Sequence, residues 1–138
     1  MTDQDAVLAL NQAFYRAFAT HNYPAMESLW ARRLPVACLH PGWPLLAGRE
    51  AVLRSWNELM SQPEITPVHV RNEVVHLYGD TALVLCEEMI GGGLLAASNL
   101  FVREDGEWRM AHHQAGPLAP AAQRRPEPKA ETPPRRLH

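Results

Sequence analysis

The first half of the chain carries apolar residues at the spacing of an amphipathic helix. In the first segment these positions are Ala6, Leu10, Phe14, Ala17 and Phe18. They recur every three or four residues, and Thr2 or Asp3 can cap the segment. We therefore predict a first helix that ends near Thr20.

Two further helices are predicted before the main sheet begins. Pro24 suits the first turn of a second helix, which Pro35 ends, and residues 36–40 are predicted to form a short strand. Gly48 precedes a third helical pattern. The inward stripe of this third helix is predicted to be Val52, Trp56, Leu59 and Met60.

From residue 68 to residue 115 the pattern changes to that of strands. Turn signals at residues 79–80, 91–93 and 105–106 divide this region into four strands. Because consecutive strands joined by tight turns pair as hairpins, the sheet is predicted to be antiparallel. Helices followed by strands indicate an α+β fold, in which three N-terminal helices cover one face of the sheet.

The turn at residues 105–106 sets the predicted register of the last two strands. A two-residue loop there places Asn99 opposite His112 and Ala97 opposite Gln114, with each pair on one face. The loop fixes the parity of every pair beyond it, so this face also receives the apolar residues near the turn.

Two other turns set the register of the middle strands. A two-residue loop at residues 79–80 pairs Asn72 with Glu87, and a three-residue loop at residues 91–93 keeps Glu87 on the core face. A glycine loop of two or four residues would put Glu88 on this face instead. The apolar members predicted for the core face are Val68, Val70, Val74, Leu83, Leu85, Met89, Leu95, Phe101, Trp108 and Met110.

A polar row interrupts this predicted core face. It contains Asn72, Glu87, Asn99, His112 and Gln114. Burying such groups without partners costs roughly 1 to 3 kcal/mol each, so they should satisfy one another or line a wet pocket. Glu87 and His112 are the candidate catalytic pair, because imidazole titrates near neutrality and a carboxylate can fix its tautomer. The other three are candidate hydrogen-bonding groups for a ligand.

Several stretches of this sequence resemble the nuclear transport factor 2-like superfamily, in its SnoaL-like branch. They are His40-Pro41-Gly42-Trp43-Pro44, Gly48-Arg49-Glu50-Ala51-Val52 with Ser55-Trp56, Ala97-Ser98-Asn99-Leu100-Phe101, Asp105-Gly106-Glu107-Trp108-Arg109-Met110, and His112-His113-Gln114-Ala115-Gly116-Pro117. Together they cover about residues 5 to 117. The resemblance implies a cone-shaped fold, in which a curved sheet wraps around a long helix and encloses a pocket. It also implies a dimer through the outer sheet face.

The implied pocket adds three candidate ligand-binding residues. His40 and Trp43 could rim its mouth, although a proline-braced loop around a buried Trp explains the same residues. Tyr15 is a further candidate, and its alternative place is the core. Members of the family that isomerise ketosteroids use interior aspartates. Here Asp occurs only at positions 3, 5, 80 and 105, near caps or turns, so that mechanism has no obvious aspartate in this chain.

Composition and charge narrow the class of protein. With 46% hydrophobic and 20% charged residues over 138 positions, the chain has the balance of one globular domain. Residues 118–138 hold five Lys or Arg and two Asp or Glu, a net charge of +3, which leaves −5 for residues 1–117. A nucleic-acid partner is not expected for such an acidic domain.

The composition changes after residue 117. A SnoaL-like domain is predicted for residues 1–117, and residues 118–138 form a Pro- and Arg-rich tail that is predicted to be disordered. No apolar run reaches the roughly 18 residues of a membrane span, so we expect a cytoplasmic protein without a membrane partner. Cys38 and Cys86 lie in apolar runs and are predicted to be buried, reduced thiols.

A homodimer is predicted from the outer sheet face. Its apolar positions, Val75, Val84, Leu100 and Val102, stand among the charged Arg71, Glu73 and Arg109. Such a mixture suits an interface better than bare solvent.

The leading hypothesis is a SnoaL-like protein that binds a small, mostly apolar molecule with polar groups, with acid–base chemistry of the isomerase, dehydratase or cyclase type. No cofactor is expected. No metal is expected either, because His112 and His113 are adjacent on a strand and their rings point to opposite faces. The alternative is a non-catalytic module, in which the polar row is a structural network and the function is dimerisation or partner binding.

Overall fold

The computed structural model describes residues 1–119 and 122. Its helices are α1 (Asp3–Ala19), α2 (Tyr23–Leu29) and α3 (Arg49–Met60). Its strands are β1 (Ala37–Leu39), β2 (Leu46–Ala47), β3 (Val68–Tyr78), β4 (Thr81–Ile90), β5 (Gly93–Glu104) and β6 (Glu107–Pro117). Apart from residues 118, 119 and 122, the predicted tail lies outside the described residues. No helix in the described part is long and apolar enough to cross a membrane.

The strands form one six-stranded sheet in the order β2-β1-β6-β5-β4-β3. The four long strands pair as sequential antiparallel hairpins, as predicted. The sheet as a whole is mixed, because β1 runs parallel to β6, with Ala37 opposite His112. The α+β class is confirmed, with three helices packed on one face of a sheet that does not close.

Polar side chains cap the first turns of α1 and α2. Thr2 and Asp5 form a capping box at the start of α1, and the Asn22 side chain accepts from a backbone N–H at the start of α2. Helix α1 then packs its apolar stripe on the inner face of β3, β4 and β6. At the centre of this core, Phe14 and Trp56 meet edge to face with ring centroids 5.3 Å apart.

The glycine turn between β4 and β5 has two residues. Ile90 pairs with Gly93, and Gly91 and Gly92 have φ angles of 55° and 91°. Such a turn matches the twist of a hairpin and favours glycine. The three-residue loop predicted from the sequence is therefore wrong, and the two-residue alternative holds. As a result, the even-numbered residues of β4 face the helices, whereas Leu83, Leu85 and Met89 face outward.

A bulge in β6 changes the register of the last hairpin. The turn at residues 105–106 has two residues, as predicted, and Phe101 pairs with Met110. One step further Leu100 pairs with His112, so Ala111 is an extra residue. Because an extra residue shifts the parity beyond it, Asn99 lies opposite His113 and not opposite His112.

A second bulge lies in β3. Arg71 pairs with Glu87 and Val74 with Leu85, so two residues of β3 stand against one of β4. Within this bulge Asn72 has a φ of 58°, a conformation that Asn tolerates better than most residues. The predicted pairing of Asn72 with Glu87 is wrong for this reason.

Candidate functional site

An interior cavity of about 180 Å³ opens between the helices and the sheet. It is lined by Phe18, His40, Pro41, Trp43, Trp56, Leu59, Glu88, Ile90 and His113. A larger groove of about 490 Å³ lies between α1 and β3, but it is open to the surface. The smaller cavity is the candidate site, because three buried titratable side chains meet apolar walls there.

Glu88 is the carboxyl group of this cavity. Its side chain comes from β4 and is 1% exposed. The hydroxyl of Tyr15 donates a hydrogen bond of 2.6 Å to its Oε2 atom. Burial raises the pKa of Glu88 from the usual 4.5 to about 7, and the hydrogen bond from Tyr15 opposes part of this shift. A carboxyl group with this pKa can both take up and release protons near neutral pH.

His113 lies beside Glu88 on the neighbouring wall. Its Nδ1 atom is 2.6 Å from Oδ1 of Asn99, and its Nε2 atom is 3.8 Å from Oε2 of Glu88. The pKa of His113 is lowered to about 3, mainly by burial and in smaller part by the nearby His40 and His112. The imidazole is therefore neutral at physiological pH.

His40 is held in place by a serine hydroxyl and two indoles. Its Nε2 atom is 2.9 Å from Oγ of Ser55, and that hydroxyl donates to the backbone oxygen of Val52 at 2.6 Å. A hydroxyl has one proton to donate, so Nε2 of His40 carries the proton of the first bond. The rings of Trp56 and Trp43 stand edge-on to the His40 ring, and their centroids lie 4.7 and 5.0 Å from its centroid. Burial lowers the pKa of His40 to about 4.

Behind the cavity, Tyr15 and Asn99 belong to a buried hydrogen-bond network. The Nδ2 atom of Asn99 donates to Oδ1 of Asn11 at 2.8 Å and to the hydroxyl of Tyr15 at 3.1 Å. Burial raises the pKa of Tyr15, so its hydroxyl stays protonated and available as a donor to Glu88. Both residues support the site without lining the cavity.

Several residues predicted for the site lie elsewhere. Glu87 points to the outer face, where Nε of Arg71 and Nδ2 of Asn72 each donate to its Oε1 at 2.9 Å. His112 is half-buried and Gln114 exposed on the same outer face. The placement of these residues in the pocket is therefore wrong, because two bulges and a shorter glycine turn change the parity. His40 and Trp43 line the cavity.

Sequence reasoning missed Asn11, Glu73, Ser55 and His113. One signal was available for Asn11, which falls on the apolar stripe of α1 between Val7 and Phe14. A polar residue at such a position usually has a buried partner. No pattern in the sequence marks the extra residue that brings His113 inward.

The two cysteines are not part of a reactive centre. Both are free and buried, and burial raises the pKa of each thiol to about 12, which leaves them protonated. Within residues 1–119 and 122, no group of three or more His, Cys, Asp or Glu residues is placed to hold a metal ion.

Helices that cover one face of a sheet, as in this chain, are the fold of nuclear transport factor 2-like proteins. Within that class the chain belongs to the SnoaL-like domain family, whose match spans residues 7–120.

Several solved structures resemble the chain over most of its length. A candidate dehydratase of the NTF2-like family from Streptomyces avermitilis is 35% identical, over 85% of this chain and 96% of that one, with a TM-score of 0.77. A candidate calcium/calmodulin-dependent protein kinase type II association domain from Thiobacillus denitrificans is 30% identical, over 81% of this chain and 94% of that one, with a TM-score of 0.73.

A curated relative is also similar. The F-box protein SKIP8 of Arabidopsis thaliana is 25% identical over 112 residues. The match covers 80% of this chain and 48% of the plant protein, so the chain spans about half the length of that relative.

Proposed function

We propose that this protein binds a small, neutral, mostly apolar molecule in the cavity. We also propose that Glu88 removes a proton from this molecule and returns it. Isomerase, dehydratase and cyclase reactions all need such a step. The observation that carries the proposal is a buried carboxyl group on the wall of an apolar cavity, with a pKa raised to about 7. A carboxyl group of this kind is costly to bury, which favours a chemical role over a purely structural one.

The lining of the cavity favours a neutral ligand. None of its residues is Lys or Arg, so an anionic ligand would meet no opposite charge. A cation would pair with ionised Glu88 but would lose its hydration among the indole and phenyl rings. A cavity of about 150 Å³ in another protein holds benzene, so about 180 Å³ suits a molecule of one ring.

The proton transfer is simplest to describe for a ketone. Ionised Glu88 takes a proton from the carbon next to the carbonyl, and the electron pair of that C–H bond moves to form the enolate. Protonated Glu88 then returns the proton to carbon, at the same or a conjugated position. The ligand is isomerised or exchanges its hydrogen, and Glu88 ends as it began. Tyr15 keeps the carboxyl group oriented throughout.

The comparisons support this proposal at the level of the class. The Streptomyces avermitilis relative is a candidate dehydratase, and eliminations of water also begin with proton removal by a base. The Thiobacillus denitrificans relative is described as an association domain, which agrees with the alternative of a non-catalytic binding module. The buried titratable groups at the cavity favour the ligand-binding proposal.

Hydrogen exchange on a simple ketone tests the proposal directly. We expect the protein to accelerate deuterium incorporation next to the carbonyl of cyclohexanone in D₂O, followed by proton NMR. Glu88→Gln should reduce this acceleration about tenfold or more, because the amide cannot carry the proton. Glu87→Gln is the matched control and should leave it unchanged. Equal rates for the protein, Glu88→Gln and buffer would contradict the proposal.

We also propose that the protein is a homodimer formed through its outer sheet face. Leu85 and Met89 are 42% and 41% exposed there, and Leu85 borders a groove of about 420 Å³ over β4, β5 and β6. The apolar set predicted from the sequence needs correction. Val84 is fully buried in the core, and Val75 and Val102 pack against the core.

The two free, buried cysteines support a cytoplasmic location.

A further inference from the structure

Four side chains from four elements form one line of hydrogen bonds that ends at the cavity. Nδ2 of Asn11 donates to Oε2 of Glu73 at 2.7 Å, and Nδ2 of Asn99 donates to Oδ1 of Asn11 at 2.8 Å. Oδ1 of Asn99 then lies 2.6 Å from Nδ1 of His113. We call this line the Glu73 relay. Glu73 is half-buried at the bulge of β3, and the other three side chains are at most 2% exposed.

The carboxylate at the outer end sets the direction of every bond in the relay. Ionised Glu73 can only accept, so Asn11 must turn its NH₂ group outward and its oxygen inward. That oxygen can pair only with the NH₂ group of Asn99, which leaves the oxygen of Asn99 for His113. An amide oxygen accepts from an N–H, so Nδ1 of His113 must carry the proton. In the neutral ring Nε2 is then unprotonated.

We infer that Glu73 is a positioning residue, which acts through Asn11 and Asn99 to fix His113 as the Nδ1–H tautomer and so presents an unprotonated Nε2 to the cavity. A buried amide next to His113 could by itself pair with either tautomer. The hydroxyl of Tyr15, which donates to Glu88, accepts from Nδ2 of Asn99 at 3.1 Å and favours this orientation of the amide. Glu73 acts in the same direction through Asn11.

The tautomer determines which ligand the cavity selects, a consequence that rests on the proposed function. His113 offers an acceptor at Nε2, and ionised Glu88 offers acceptors beside it, with Oε2 3.8 Å away. The N–H of His40 is already committed to Ser55. The polar end of the cavity therefore favours a neutral ligand that brings its own donor, such as a hydroxyl group on a ring.

Nitrogen NMR of the histidine rings tests the relay without any ligand. We expect Nδ1 of His113 to be protonated and Nε2 unprotonated near neutral pH, with the signals assigned through a His113→Asn variant. Glu73→Lys replaces the acceptor by a donor, which should reverse both amides and move the proton to Nε2. Glu87→Lys is the matched control. Glu87, like Glu73, accepts a hydrogen bond from an asparagine, but it lies on the outer face of the sheet. Its replacement by Lys should therefore leave the tautomer of His113 unchanged.

The spectra distinguish the relay from a merely structural network. A proton on Nε2 in the unsubstituted protein would overturn the inference, whether or not Glu73→Lys folds. An Nδ1–H tautomer that persists in folded Glu73→Lys would overturn the role of Glu73. A shift of the proton to Nε2 in Glu73→Lys alone would support it, because loss of packing has no reason to exchange the two ring nitrogens.

A pair of probes of equal size tests the consequence for the ligand. We expect phenol to bind about fivefold or more tightly than toluene in NMR titrations, as one additional hydrogen bond predicts. The preference should shrink in Glu73→Lys and persist in Glu87→Lys. Binding of both probes with equal affinity would overturn the donor selection. Binding of neither would contradict the proposed function, while the ring spectra would still decide the tautomer.

Discussion

Glu87 and Glu88 are neighbours in the sequence with opposite environments. Glu87 lies on the outer face and is paired with Arg71 at 2.9 Å, whereas Glu88 is 1% exposed and bonded to Tyr15. The choice between them follows from the length of the glycine turn, which the sequence leaves open. At the scale of single residues, the polar character of the site was predictable, but the identity of its carboxyl group was not.

The pH dependence of stability should report the buried state of Glu88. The folded pKa is raised to about 7 from 4.5, so between these values the folded protein holds a proton that the unfolded chain has lost. Stability contributed by this group is therefore present at pH 4.5 and is lost as the pH rises to 7. The loss amounts to roughly 3 kcal/mol, at about 1.4 kcal/mol per unit of pKa shift.

Urea unfolding of the protein and of Glu88→Gln at several pH values measures this effect. The difference in stability between the two should change in favour of Glu88→Gln as the pH rises. Burial lowers the pKa values of His40 and His113, so these residues change the stability with pH in the opposite direction to Glu88. Their contributions are the same in both proteins and cancel when one stability curve is subtracted from the other. Parallel stability curves for the two proteins would show that Glu88 titrates as an exposed carboxyl group does.

At the scale of elements, the apolar periodicity predicted three helices and four long strands, but α2 ends at Leu29 and not near Pro35. Two of the three turns had the predicted length. The third turn was one residue shorter, and two bulges interrupted the ladders. Bulges depend on packing between distant elements, as at β3, where Glu73 turns inward to reach Asn11. Local sequence does not contain that information, so the faces of β4 and β6 could not be predicted correctly.

The two-residue glycine turn should be sensitive to a side chain at one position. Gly92 has a φ of 91°, which L-residues rarely adopt, so Gly92→Ala should cost about 1 to 3 kcal/mol. Gly93 is the control, because it lies in β5 and an added Cβ would meet only the backbone oxygen of Ile90 at 3.4 Å. Chemical denaturation of both variants measures the difference, and equal stabilities would contradict the strained turn.

Within residues 1–119 and 122, the fold of the molecule leaves one sheet face uncovered. All three helices pack on the other face, so Leu85 and Met89 remain partly exposed. An uncovered apolar sheet face commonly becomes an interface. This shape, with its interior cavity, was expected from the resemblance to the SnoaL-like family rather than from the apolar pattern alone.

The proposed dimer can be tested by sedimentation equilibrium. We expect a dimer at micromolar concentration, and Leu85→Asp should shift it to a monomer, because a charge on each copy would be buried at the interface. Leu45→Asp is the control, since Leu45 is 63% exposed in the loop before β2 and does not line the groove over β4, β5 and β6. A monomer at all concentrations would reject the dimer.

The role of the tail remains a prediction from composition. Residues 118–138 offer no apolar stripe for docking, so a chain that ends at Leu118 should keep its melting temperature within a few degrees. This length retains the hydrogen bond from the backbone of Leu118 to Leu94. A clearly lower melting temperature, measured by calorimetry, would show that the tail packs on the domain.

The proposed role of Glu88 is that of a buried proton carrier on the wall of the cavity. Its most direct test is the titration of side-chain carboxyl carbons by ¹³C NMR, with the Glu88 signal identified by its loss in Glu88→Gln. We expect this signal to titrate with a midpoint near pH 7, well above the usual 4.5. A midpoint at or below 4.5 would contradict the claim, because it would show that burial does not raise the basicity of this carboxyl group for removing a proton from a ligand.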